Sequence, residues 1–93
     1  MRRIEITAAF RRDFKRENRS GKAIDFDSLV SAVVSALARD EALPERNRDH
    51  GLTGDWRDHR ECHLKPDLLL IYRKPDANTL QLVRMGSHNE LFD

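Results

Sequence analysis

The chain carries one cysteine, Cys62, so it can close no disulfide within itself. No apolar run approaches the roughly 18 residues of a membrane span. The first residues, Met1-Arg2-Arg3-Ile4-Glu5, lack the apolar stretch of a signal peptide. Repeats and low-complexity segments are absent, and 93 residues are too few for two domains. Gly51-Leu52-Thr53-Gly54 has neither the length nor the following Lys-Ser/Thr of a phosphate-cradling loop. These absences exclude a disulfide scaffold, a membrane-spanning helix and P-loop chemistry. The expectation is a single cytosolic domain, residues 1–93, with a modest core.

Charge is plentiful but unevenly laid out. Charged residues make up 35% of the chain and apolar residues 39%, and the apolar ones cluster as a globular domain requires. The net charge of +1 conceals a basic stretch over residues 1–22, an acidic stretch over 23–58 and a balanced remainder. A basic arm suits a polyanion such as RNA, because phosphate contacts supply most non-specific affinity. Arg11, Arg12, Lys15, Arg16 and Arg19 equally suit the wet face of a helix, and both readings stand.

Residues 2–6 alternate weakly as a short strand. Thr7 caps a helix over 8–20, with Ser20-Gly21 as its stop and Phe10 and Phe14 facing the core. Asp25 or Asp27 caps a second helix over 26–39, where Phe26, Leu29, Val30, Val33, Val34 and Leu37 keep a 3–4 spacing. The pair predicts an antiparallel helical hairpin. Residues 40–59 read as a long charged connection, punctuated by Pro44, Gly51 and Gly54. Residues 60–64 alternate as a strand, with Glu61 and His63 on one face and Cys62 and Leu64 on the other. Leu68–Tyr72 is the continuous apolar run of a strand buried on both faces. A turn at Pro75-Asp76-Ala77-Asn78 leads to a last strand over 79–85. The predicted fold is α+β: strand, helix, helix, then a three-strand meander, with two helices on a small, mainly antiparallel sheet.

Three histidines fall at element boundaries: His50 in the long connection, His63 four residues before Asp67, and His88 four residues after Arg84. A meander returns strand ends to one edge of the sheet, where such positions can converge. Metal-free RNA cleavage needs a base for the ribose 2′-OH, an acid for the departing 5′ oxygen, and a cation for the charge on the phosphorane. Histidine suits the first two because it titrates near neutrality. Arginine suits the third through its permanent charge and its match to phosphate geometry. An aromatic such as Phe92 can stack on an unpaired base. Other readings of nearby residues are weaker. His59 and His63 have a helical metal-ligand spacing in a segment that reads as strand. Cys62 lacks any nucleophile signature and reads as a small buried hydrophobe.

The pieces His50-Gly-Leu-Thr-Gly-Asp-Trp56, Arg60-Glu-Cys-His63, Pro66-Asp67-Leu-Leu-Leu-Ile-Tyr72, Arg84-Met-Gly-Ser-His88 and Leu91-Phe92 occur together at a specific spacing. In this the chain resembles the YafQ-type branch of the RelE toxin superfamily, toxin halves of bacterial type II toxin–antitoxin pairs. The resemblance covers nearly the whole chain. It implies a RelE-like fold, cleavage of translated mRNA on the ribosome with the 2′-OH as nucleophile and a 5′-OH product, no metal or other cofactor, and a tightly bound antitoxin encoded beside the toxin. By motif, His50, His63, Asp67 and His88 correspond to catalytic positions, and Arg84, Phe92 and Glu61 to substrate-binding ones. Glu61 stands where a well-known member has Asp. Leu68 stands where that member has Trp, which leaves codon preference open. The rival expectations are a same-fold toxin acting on a protein such as DNA gyrase, for which the histidines are not needed, and a non-catalytic RNA- or protein-binding module.

Overall fold

The computed structural model describes residues 1–19 and 26–92. Its elements are β1 (Arg3–Ile6), α1 (Ala8–Arg19), α2 (Phe26–Ala38), β2 (His50–Gly51), β3 (Arg60–Lys65), β4 (Leu68–Asp76), β5 (Thr79–Gly86) and α3 (His88–Phe92). The five strands form one sheet in the order β1-β5-β4-β3-β2, with β1 parallel to β5 and the remaining pairs antiparallel. The fold is therefore the expected α+β sandwich. Beyond that expectation it has short 3-10 turns at Glu45–Asn47 and Gly54–Trp56, a two-residue edge strand at His50 and a short C-terminal helix.

Thr7 caps α1 as its position predicts. Its Oγ1 accepts the Phe10 amide at 2.9 Å and donates to the Val83 carbonyl at 2.7 Å, which ties the helix start to β5. The expected stop at Ser20-Gly21 and the Asp25 cap lie outside the described residues. Asp27 falls inside the first turn of α2 rather than before it. The two helices meet through Phe14 and Phe26, whose ring centroids are 5.3 Å apart.

Both helices cover one face of the sheet. Phe10, Val30, Val33, Val34 and Leu37 pack there on Cys62, Leu64, Leu68, Leu70, Tyr72, Leu80, Leu82 and Met85. The other face buries Leu69, Ile71 and Leu91, flanked by half-buried Leu52, Trp56, Val83 and Phe92. The apolar run in β4 thus serves both layers, as a strand covered on each side must. Pro75 belongs to β4 and not to the turn, which narrows to Ala77-Asn78. Proline has no amide to give the ladder, and the β4–β5 register shifts between Arg73 and Asp76. No helix among the described residues is long and apolar enough to cross a membrane.

Candidate active site

The register brings four of the named residues to one end of the sheet. His50 opens β2 opposite Glu61 of β3. His63 pairs with Leu69 of β4, and Leu69 with Gly86 of β5, just before His88. Adjacent strands lie about 4.8 Å apart, so this row places β5 about 10 Å from His63. Asp67 occupies the tight β3–β4 turn, and its Oδ1 accepts the His88 amide at 3.4 Å, joining the turn to the start of α3. Ser87 and Glu90 brace the same helix start. The Glu90 amide donates to Ser87 Oγ and the Ser87 amide to Glu90 Oε1, a reciprocal capping box.

The three histidines differ in their hydrogen bonds. His50 Nδ1 lies 2.7 Å from the Arg48 carbonyl, and its Nε2 lies 2.9 Å from Glu61 Oε2. Both ring nitrogens are thus engaged by oxygen atoms. His63 Nδ1 donates to the Pro66 carbonyl at 3.2 Å, and its Nε2 makes no hydrogen bond within the described residues. The His88 ring is exposed, lies 5.0 Å from the Phe92 ring, and makes no hydrogen bond within the described residues. Arg48 has φ of 47°, a left-handed conformation that costs an ordinary residue about 1–2 kcal/mol and aims its carbonyl at His50. Asn47, buried and unsignalled in the sequence, donates from Nδ2 to the His63 carbonyl at 2.8 Å.

Two residues expected to bind substrate, Glu61 and Arg84, also have partners within the chain. Glu61 is only 6% exposed, so it reaches the surface through His50; its Oε1 is buried without a hydrogen-bond partner. Arg84 grips Asp13 of α1, with Nε 2.6 Å from Oδ2 and Nη2 3.2 Å from Oδ1. Its side chain remains 31% exposed. Asp13 also accepts the Met85 amide and Arg16 Nη1. Burial works to raise the Asp13 pKa, but the hydrogen bonds from Arg84, Met85 and Arg16 and the Arg84 charge outweigh it and hold the carboxyl below its usual range.

Aromatic rings line the approach to His88. Trp56 lies 6.2 Å from Phe92 at 74°, and His59 meets Trp56 edge-on at 5.3 Å. Leu68 does not belong to this group: it is buried in the helix-side core, because β4 alternation turns it away from the site face.

Residues 2–93 match the family described as bacterial toxin of type II toxin–antitoxin system, YafQ. The chain belongs to the YafQ toxin family. It is 32% identical over 91 residues to the mRNA interferase toxin YafQ of Escherichia coli strain K12, covering 98% of this chain and 96% of that protein. YafQ in the E. coli DinJ–YafQ complex superposes with a TM-score of 0.86 at 29% identity, with both chains fully covered. A metal-bound toxin from Helicobacter pylori superposes at 0.88 with 46% identity, covering 99% of this chain and all of the other.

That relative binds a metal, yet in this YafQ-family chain no three His, Cys, Asp or Glu side chains among the described residues are grouped to hold one. Cys62 is fully buried, and burial, with the Asp49 and Glu61 charges, pushes its thiol up to about 12, so it offers no thiolate. A groove of about 610 Å³ between α2 and residues 43–48 ends at His63–Pro66. Its walls are largely aliphatic. His63 lines the end of this groove, whereas His50 and His88 are exposed and Trp56, His59 and Phe92 are half-buried; an open edge of this kind suits an extended strand better than a small metabolite.

Proposed function

We propose that this toxin is a ribosome-dependent endoribonuclease that cleaves translated mRNA, with His63 as general base and His88 as general acid. The observation that carries the reading is the division of hydrogen-bonding states among the histidines at one sheet edge. His63 keeps a free Nε2 able to accept the 2′-OH proton. The O2′–P bond then forms and the P–O5′ bond breaks, with the proton for the 5′ oxygen coming from His88. The products are a 2′,3′-cyclic phosphate and a 5′-OH end. His50, positioned by Glu61, stands beside the pair and, when protonated, adds positive charge near the phosphate. Arg84, oriented by Asp13, adds permanent positive charge for the phosphorane. Asp67 links the β3–β4 turn to the start of α3 and so orients His88 relative to His63. Phe92 supports the His88 ring and offers a face to a base.

Exposed Arg11, Arg12, Lys15 and Arg16 of α1 supply the basic surface that a ribosomal RNA or an acidic antitoxin would meet. The E. coli relative is seen bound to DinJ. By that likeness this chain pairs with an antitoxin encoded beside it. The test is His88→Ala on mRNA-programmed ribosomes. Cleavage should be lost with the fold intact, and cutting at the wild-type rate would overturn the assignment.

A further inference from the structure

We propose that Trp56, flanked by His59, is a second base-stacking surface of this site and helps select the nucleotide held beside the cut. The inference rests on the RNA-cleaving reading above. Four rings run without a gap from the proposed acid outward: His88 to Phe92 at 5.0 Å, Phe92 to Trp56 at 6.2 Å, and Trp56 to His59 at 5.3 Å. A strand whose phosphate lies at His88 has its neighbouring bases beside the next rings in that row.

Trp56 is built to be held and yet accessible. One side packs on the small core of Leu69, Ile71 and Leu91, while the residue as a whole is only half-buried. Its loop is braced by the Leu52 amide on the His59 carbonyl, the Trp56 amide on the Thr53 carbonyl and the His59 amide on the Trp56 carbonyl. A ring already fixed in place loses little entropy when a base stacks on it. The indole N–H makes no hydrogen bond within the described residues, which leaves a donor for a base edge.

Trp56 is the sole tryptophan, so its emission reports on its own surface. The experiment titrates the full chain with a fluorescein-labelled, single-stranded hexanucleotide carrying 2′-O-methyl groups, which cannot be cut. Unlabelled oligonucleotide is used to read indole emission, and anisotropy gives affinity. Saturable quenching is expected. Trp56→Leu, which retains apolar packing without a π face, should weaken binding about 5- to 150-fold, and Trp56→Phe should recover most of it. His59→Ala should leave thermal stability unchanged and alter the base preference beside the cut. Binding without quenching, or Leu binding as well as Phe, overturns the proposal and assigns Trp56 to packing alone. Absence of any binding to the wild-type chain overturns it as well. Because the probe cannot be cleaved, quenching in a chain that never cuts mRNA would refute the nuclease reading and leave base stacking in place.

Discussion

The two faces of the sheet are built for different work. Beneath α1 and α2 lies a continuous apolar layer whose side chains, from Phe10 through Met85, are shielded from water. The opposite face buries Leu69, Ile71 and Leu91 and then gives way to histidines, an orphaned carboxylate oxygen and half-buried rings. Stability is concentrated on one side and unsatisfied chemistry on the other. The same strands serve both, because alternate residues point to opposite faces. His63 thus stands on a rigid strand between Cys62 and Leu64, two residues of the core.

If that division holds, substitutions on the two faces should have opposite signatures. The largest expected effect is on rate. Losing either member of the proposed acid–base pair, by His63→Ala or His88→Ala, should cost about 100- to 10,000-fold in cleavage. Thermal midpoints should stay near wild type, as single-turnover rates and calorimetry on the same preparations will show. Leu70→Ala should do the reverse. A fully buried leucine on the helix side costs about 2–5 kcal/mol when truncated, visible as a lowered urea midpoint, while the surviving folded fraction keeps its rate.

Glu61→Gln sharpens the comparison, since Glu61 is buried but acts on the site face. Loss of the charged partner of His50 should lower cleavage about 10- to 100-fold with little change in melting. A large stability loss without a rate effect would move Glu61 into the structural class. Asp13 offers a pH test. Its pKa is depressed in the folded chain, so its contribution is present above the unfolded value of about 4 and is lost as pH falls through the folded value. Asp13→Asn should lower stability at neutral pH and flatten the acid limb of the stability curve, measured by urea titration from pH 7 to pH 3. The smallest effect belongs to Arg48→Gly. Relief of the left-handed backbone should offset glycine's extra unfolded-state freedom to within about 1 kcal/mol, and activity should persist because His50 bonds the carbonyl, not the side chain.

Periodicity made most of the fold legible. The 3–4 spacing from Phe26 to Leu37 placed α2, and alternation around Cys62 separated the two faces of β3. The shortest elements escaped because they are too short for any period: His50-Gly51 holds no β-branched residue, and α3 is five residues long. The Ser87-His88-Asn89-Glu90 capping box was the available signal for α3. Asp13 was findable too, since a carboxylate between Phe10 and Phe14 on the same helical seam calls for a buried cationic partner. The histidines, Asp67 and Phe92 were singled out by a joint spacing that resembles the family's, and the structure brings Asp67 and Phe92 against His88. Which ring nitrogens are free was not legible, because it depends on carbonyls of Arg48 and Pro66 that any residue could have supplied. His59, assigned no role from sequence, joins the aromatic row only once the 52–59 loop closes on itself.

The most direct measurement is a map of transcript 5′ ends, sorted by 5′-hydroxyl chemistry, after brief induction of the wild-type chain and of His88→Ala in growing bacteria. New 5′-OH ends inside translated frames, recurring at a preferred codon and missing in the variant, are the predicted result. Growth arrest with no new ends, or the same ends from His88→Ala, would contradict the account.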